Sequence, residues 1–136
     1  MDSDTQTAPV SKVMLWAGRT LSAITSLFLL LDGLMKLLKP APVVEATARM
    51  GYLENLILGL GILLLTCLAV YLIPLPRTSI LGAILLTGYL GGAVSAHVRV
   101  RDDMFPVLFP VIVGVLLWGG LFLRDARLRA LLSLRS

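Results

Sequence analysis

Among the polar side chains within the apolar stretches of this sequence, four have types and spacing that could serve ligand binding: Asp32, Lys36, Tyr89 and His97. Asp32 and Lys36 are four residues apart near the end of the first stretch, a spacing that pairs a carboxylate with an ammonium group on a helix. Tyr89 and His97 lie in the third stretch, about 12 Å apart along a helix axis. Because burying an ionisable group in lipid is costly, such residues are functional candidates. The chemistry open to them is the noncovalent binding of a small ligand.

These residues must be positioned by the apolar stretches themselves. The chain has 136 residues, of which 57% are hydrophobic and 15% are charged, whereas soluble domains carry about 25% charged residues. Four stretches have the length of roughly 17–25 residues that a helix needs to cross a bilayer. They cover residues 13–36, 56–73, 79–98 and 106–123. The sequence therefore predicts an all-α membrane protein, a bundle of four transmembrane helices.

The connections between the stretches carry the helix breaks. Pro40 ends the first helix because proline lacks the backbone N–H that would continue it. Pro42 suits the first turn of a new helix and Gly51 suits the position just after its end, so a short interfacial helix is predicted between helices 1 and 2. Tyr52 is placed like an interfacial aromatic anchor. Pro106 is expected to open the fourth helix.

The chain ends differ from the spans in composition. Residues 1–11 are expected to be a disordered polar tail, 12–124 the four-helix transmembrane domain, and 125–136 a basic tail. Both ends lie on one side of the membrane because the number of spans is even. That side carries more lysine and arginine, so the positive-inside rule predicts cytoplasmic termini. The net charge of +4 sits beside apolar spans and points to anionic lipid headgroups, and no nucleic acid is expected as a partner.

The predicted topology brings the candidate residues to one side of the membrane. The first helix ends where the third one ends, so Asp32, Lys36, Tyr89 and His97 could line one pocket with an apolar wall and a polar rim. In the alternative interpretation, Asp32 and Lys36 form a structural ion pair, His97 is an interfacial residue and Tyr89 fills space. With one histidine and one cysteine, no metal site or haem ligation is predicted.

Small residues recur at a regular spacing in the third helix and bear on how the helices pack. Gly88, Gly92 and Ala96 recur every four residues in the third helix, a spacing that allows close approach of helices. Contacts within the bundle are the favoured interpretation, and an interface between copies of the chain is the alternative.

Arg19 lies inside the first helix and is interpreted as a membrane-surface anchor, with Asp125 as a possible ion-pair partner.

Several segments together resemble the DoxX-like proteins, small four-helix membrane proteins of bacteria. The resemblance rests on Leu31-Asp32-Gly33-Leu34-Met35-Lys36, on the connector 45–52, on the glycine-rich segment 82–93 leading to His97, and on 118–125. It implies a location in the bacterial inner membrane and a link to membrane redox complexes, since the family name comes from a subunit of a thiosulfate:quinone oxidoreductase. A bound quinone and other membrane subunits are the cofactor and partners that it implies.

Three classes of function remain open at this point. The first is an accessory or ligand-binding subunit of a membrane redox system, in which the four candidate residues hold a quinone-like headgroup. The second is a small transporter or channel that uses Asp32 as its intramembrane carboxylate. The third is a structural or assembly protein that binds other membrane proteins or a second copy of itself. A self-contained enzyme is not expected, because no nucleophile–base pair or metal-ligand cluster stands out and no catalytic residue is assigned.

Overall fold

The computed structural model describes residues 11–132, and within that range the chain forms six helices and no strand. Their bounds are α1 Lys12–Leu38, α2 Ala41–Arg49, α3 Glu54–Leu72, α4 Pro76–Arg99, α5 Met104–Arg124 and α6 Ala126–Leu132. Four of them, α1, α3, α4 and α5, are long and apolar enough to cross a membrane. The predicted bundle of four transmembrane helices with a short helix between the first two is confirmed. Most of the predicted polar tail and the last four residues of the basic tail lie outside the described residues.

The helix ends follow local chemistry. The Ser11 hydroxyl accepts a hydrogen bond from the Met14 backbone N–H at 3.1 Å and so caps the start of α1. Gly51 follows the end of α2 with a φ of +88°, a conformation that glycine adopts at little cost. α5 begins two residues before Pro106, the expected first residue, because proline fits anywhere in the first turn of a helix.

The four long helices form a closed ring. α1 packs against α3 and α5, and α4 also packs against α3 and α5. We call the membrane face with α2 and the 100–103 loop the connector side. The face with α6, the 73–75 turn and the start of α1 is the terminal side. The fully buried core runs through the middle of the ring and is mostly leucine: Leu29, Leu64, Leu68, Leu86, Leu117 and Leu121.

Glycines allow close contact at two seams of the ring. A Cβ added to Gly18 of α1 would lie 2.7 Å from the Gly120 carbonyl oxygen of α5. At the 73–75 turn, a Cβ on Gly82 of α4 would lie only 2.3 Å from the Tyr71 backbone of α3. Contacts this short exclude any larger residue unless the backbone shifts. In the terminal half of the bundle, α1 is therefore in close contact with α5, and α3 with α4.

Gly88 and Gly92 of α4 do not make the contacts within the bundle that the sequence analysis favoured. A Cβ added to Gly88, Gly91 or Gly92 would meet nothing within 4 Å, and all three residues are exposed. Contact between α3 and α4 is close at Gly82, so the two helices separate toward the connector side. Small residues permit close approach but do not require it, which is why spacing alone misplaced these glycines.

Candidate functional site

A cavity of about 720 Å³ occupies the connector half of the bundle, and α1, α2, α3, α4 and α5 all contribute to its lining. Along α4 it extends from Leu85 to His97, which is about 18 Å of helix. Its walls are mainly apolar and include Phe28, Leu29, Leu60, Leu63, Leu90, Phe109 and Val113. A volume in the range of roughly 300–1,000 Å³ and a mostly apolar lining are typical of small-molecule sites.

The structure brings all four candidate residues of the sequence to this one cavity. Asp32 and Lys36 reach it from α1, and Tyr89 and His97 reach it from α4. Their placement around a shared space agrees with the predicted pocket, and their role as ligand contacts stays a prediction. Among the lining residues that the sequence did not assign to a pocket are Tyr52, which was expected to be an interfacial anchor, and Cys67 of α3, which lies at the deeper end of the cavity.

Asp32 and Lys36 form an ion pair inside the membrane-spanning part of the bundle. The Lys36 Nζ lies 2.7 Å from the Asp32 Oδ1, with 15% of the Lys36 side chain and 36% of the Asp32 side chain exposed. A Cβ added to Gly61 of α3 would lie 2.9 Å from the Lys36 Cβ, so these residues are level with each other. Gly61 is about 10 Å from the start of α3 at Glu54. The pair therefore lies deeper than its position near the end of α1 suggested.

The hydroxyl of Tyr89 and the ammonium of Lys36 retain capacity to donate hydrogen bonds into the cavity. An ammonium group has three N–H donors, and one contact of Lys36, to Asp32, accounts for its hydrogen bonding to the described residues. Tyr89 is half-buried, and its hydroxyl forms no hydrogen bond with any residue from 11 to 132. The cavity thus offers donors that the described chain does not satisfy.

His97 is held by a carboxylate at the connector side. Its Nδ1 lies 2.8 Å from the Asp102 Oδ2, and because an ionised carboxylate can only accept, Nδ1 donates. This hydrogen bond lowers the pKa of Asp102 below its usual range, and a second one from the Asp103 backbone N–H adds to the effect. The contact fixes the orientation of the imidazole and leaves Nε2 for other partners. The sequence analysis did not identify Asp102 as the partner of His97.

The cavity opens sideways, between α3 and α4. The other three seams of the ring are closed beside it: Gly33 meets the Leu65 side chain, the rings of Phe28 and Phe109 pack edge to face at 5.1 Å, and Gly114 approaches Leu90. On the fourth seam, the lining residues are exposed or have no neighbour across the gap: Leu63, Leu85, Gly88 and Gly92. In a bilayer this opening faces the hydrocarbon core.

The short helix α2 closes the connector end of the cavity. Its residues Val43, Thr47 and Met50 face the cavity, and Thr47 is buried. The Arg99 guanidinium at the end of α4 donates a hydrogen bond to the Met50 carbonyl oxygen and so ties α2 to the opposite wall. The sequence predicted this short helix, but only the packing shows that it covers a cavity.

A second polar cluster occupies the terminal side, between α1, α3 and α5. The Tyr71 hydroxyl donates to the Ser22 Oγ at 3.0 Å, and Arg124 donates to both, at 3.1 Å to Ser22 and 3.3 Å to Tyr71. Arg19 lies beside this cluster with its guanidinium 5.4 Å from the centroid of the Trp16 ring. The suggested ion pair between Arg19 and Asp125 is wrong: the Asp125 Oδ1 accepts the backbone N–H groups of Arg127 and Leu128 at the start of α6.

No group of three or more His, Cys, Asp or Glu side chains is placed to hold a metal ion in the part of the chain that the structure describes. Cys67 is buried and free. The polar side chains that line the main cavity include the Asp32–Lys36 ion pair, Tyr89 and His97.

Four apolar helices around a lined cavity define the class: a small multi-pass membrane protein. The model of the DoxX-like family matches residues 20–120, more than half of the chain, so the protein belongs to the DoxX-like family. Neither a curated protein nor a solved structure matches the chain.

Proposed function

We propose that this protein binds a lipid-soluble ligand with a polar, quinone-like headgroup, and that it does so as an accessory subunit of a bacterial membrane redox system. The observation that carries the proposal is the 720 Å³ cavity, which is apolar along most of its length and carries Lys36, Tyr89 and His97 on its walls. Lys36 and Tyr89 can each donate a hydrogen bond to a carbonyl oxygen. The Nδ1–H of His97 already donates to Asp102, so its Nε2 offers an acceptor in the neutral ring, which suits a hydroxyl of the reduced headgroup. A quinone headgroup has two carbonyl oxygens and an attached apolar tail.

The shape of the cavity supports a ligand that arrives from the bilayer. The opening lies between α3 and α4, where Gly88 and Gly92 leave the wall bare, and α2 covers the end nearest the aqueous phase. A ligand with an apolar tail can pass through such an opening without leaving the hydrocarbon. The tail would then lie against Leu60, Leu63 and Leu85 on the rim.

A small proton-coupled transporter is the second candidate, and the depth of Asp32 favours it. The Asp32–Lys36 pair lies well inside the span, and the carboxylate is accessible from the cavity. Intramembrane carboxylates mark proton pathways in many transporters. The close helix contacts at Gly18 and Gly82, on the terminal side of the main cavity, support the binding protein over the transporter.

A substitution at the opening tests the binding proposal. Leucine at Gly88 would extend into the opening of the cavity, while leucine at Gly91 would extend from the same helix away from the lining. We expect detergent-purified wild type to bind decylubiquinone, Gly88→Leu to lose binding, and Gly91→Leu to retain it. Quenching of tryptophan fluorescence by the quinone, together with the shift of the melting temperature, measures binding.

A second pair of variants tests the headgroup contact. Tyr89→Phe removes one hydroxyl from the cavity, and the loss of one hydrogen bond of about 1 kcal/mol weakens binding roughly fivefold. Tyr71→Phe makes the same change outside the cavity and leaves affinity unchanged. Absence of quinone binding by wild type would refute the proposal. If reconstituted protein then carried a proton flux that Asp32→Asn abolished, the transporter would replace it.

The charge distribution and the exposed glycines of α4 also bear on the location and the partners of the protein. We propose the bacterial inner membrane as the location, with both chain ends in the cytoplasm, because the terminal side carries the larger number of lysines and arginines. The exposed stripe of Gly88, Gly91 and Gly92 supports contact with another membrane subunit or a second copy of the chain beside the opening.

A further inference from the structure

A second cavity, of about 260 Å³, lies on the terminal side, separate from the quinone-like site. Its polar lining consists of two arginines, three serines and one tyrosine: Arg19, Ser22, Ser26, Tyr71, Ser79 and Arg124. The volume is below the roughly 300–1,000 Å³ of sites that enclose a whole drug-sized molecule. It has room for a headgroup rather than a complete lipid.

The two guanidinium groups at this cavity have no carboxylate to neutralise them among residues 11–132. The salt bridges there involve Asp32 and Asp102, both on the connector half, and Arg124 is held by the neutral hydroxyls of Ser22 and Tyr71. Arginine keeps its charge in proteins, and its planar fork matches the oxygens of a phosphate. The Ser26 hydroxyl is buried and has no hydrogen-bond partner within the described chain. The cavity therefore combines excess positive charge with spare donors.

The cavity also stands at the level where lipid headgroups lie. It reaches the end of α3 and the turn that follows, through Ile73 and Pro74, and the last residue of α5, Arg124. Arg19 is at the same level, because a Cβ on the neighbouring Gly18 would lie 2.9 Å from the Cβ of Arg124, the last residue of α5.

The surroundings suit a lipid anion more than a soluble one. Leu72 and Ile73 line the cavity and are 56% and 41% exposed, so they offer an apolar surface to acyl chains next to the arginines. The terminal side as described has one carboxylate, Asp125, against six basic residues: Lys12, Arg19, Arg77, Arg124, Arg127 and Arg129. Basic pockets between transmembrane helices on the cytoplasmic side are typical sites for anionic headgroups.

We infer that this cavity binds the phosphate of an anionic phospholipid from the leaflet on the terminal side. Arg19 and Arg124 contact the phosphate oxygens, and the Ser26 hydroxyl donates a further hydrogen bond. The acyl chains leave the cavity over Leu72 and Ile73. Bound there, the lipid bridges α1, α5 and the turn between α3 and α4.

The test measures binding of defined lipids to the delipidated full chain by native mass spectrometry. The probes are phosphatidylglycerol, phosphatidylcholine with the same acyl chains, and inorganic phosphate. We expect phosphatidylglycerol to bind more tightly than phosphatidylcholine, and Arg19→Gln to weaken phosphatidylglycerol by about tenfold, the effect of one hydrogen bond to a charged group. Arg77→Gln removes the same charge from the same side, outside the cavity, and should leave affinity unchanged.

Three results would overturn the assignment. Equal affinity for phosphatidylglycerol and phosphatidylcholine would show that the site does not select an anion. Equal loss in Arg19→Gln and Arg77→Gln would show diffuse attraction by the surface. Binding of inorganic phosphate as tight as that of phosphatidylglycerol would make the ligand a free anion. Arg19→Gln is chosen because Arg19 is exposed, whereas changing Arg124 also removes the hydrogen bonds to Ser22 and Tyr71.

Discussion

At the scale of single residues, the informative feature is how each polar side chain of the main cavity is restrained. His97 is oriented by Asp102, and Lys36 is paired with Asp32, so neither approaches a ligand as a free charge. Tyr89 has no such partner among the described residues. A ligand therefore meets one unsatisfied hydroxyl and two side chains whose positions are already fixed, which lowers the entropy cost of binding.

The contact between His97 and Asp102 predicts a dependence of stability on pH. Because the folded state lowers the pKa of Asp102, its stabilising effect is complete above the unfolded value of about 3.9 and is lost as pH falls through the lower folded value. We expect Asp102→Asn to melt below wild type near neutral pH, and the difference to shrink below about pH 4. Thermal unfolding followed by circular dichroism in a nonionic detergent measures this.

Asp103→Asn is the matched control for that experiment. The neighbouring Asp103 carboxylate is exposed and makes no hydrogen bond with the described part of the chain. Its removal should lower the melting temperature less than that of Asp102. A difference between wild type and Asp102→Asn that stayed constant from neutral to acid pH would show that the hydrogen bond to His97 does not stabilise the fold.

At the scale of helices, one pair explains why the bundle holds a cavity at one end. α3 and α4 touch where Gly82 meets the Tyr71 backbone, and they separate by the level of Gly88 and Gly92. The short turn between the two helices fixes their ends together, so any divergence can appear only toward the connector side. There α2 fills the end of the gap nearest the connector surface and leaves the part level with Gly88 and Gly92 open.

Alanine substitutions along α4 should report this divergence. A methyl group at Gly82 collides with the backbone of Tyr71, so we expect Gly82→Ala to destabilise the fold by about 1–3 kcal/mol. Gly91→Ala adds the same methyl in open space and should stabilise the helix by up to about 1 kcal/mol, because glycine is a poor helix former. Unfolding in mixed micelles compares the two, and equal effects would contradict the proposed geometry.

The sequence predicted the helices and one side of the cavity for identifiable reasons. Long apolar runs admit one structure in a bilayer, and an even number of spans fixes which helix ends meet, so Asp32 and His97 could be assigned to the same side. The seam that opens could not be predicted, because it depends on how α3 and α4 pack. For the same reason the sequence did not assign Tyr52 to the cavity that it lines.

At the scale of the whole molecule, the two membrane faces have different chemistry. The connector side holds the ion pair, the His97–Asp102 contact and the helix α2. The terminal side holds the hydrogen-bonded cluster of Ser22, Tyr71 and Arg124, with arginines around it. This division is the basis for the orientation in the membrane and for the two ligand sites proposed above.

Chemical labelling of single cysteines tests that orientation. With Cys67→Ala as background, Asp103→Cys places a thiol on the connector side and Arg77→Cys places one on the terminal side, both at exposed positions. We expect a membrane-impermeant maleimide applied to intact spheroplasts to label Asp103→Cys alone, and lysis to expose Arg77→Cys. Labelling of Arg77→Cys before lysis would place the chain ends outside the cytoplasm.

Because the main cavity opens sideways between α3 and α4, the concentration of the proposed ligand in the bilayer would govern how often the cavity is filled. A ligand dissolved in the hydrocarbon is concentrated there by partitioning, so the quantity that governs occupancy is its mole fraction in the bilayer rather than its aqueous concentration. A modest intrinsic affinity then suffices to fill the cavity. Occupancy would follow the membrane pool of the ligand, and the protein would report how large that pool is.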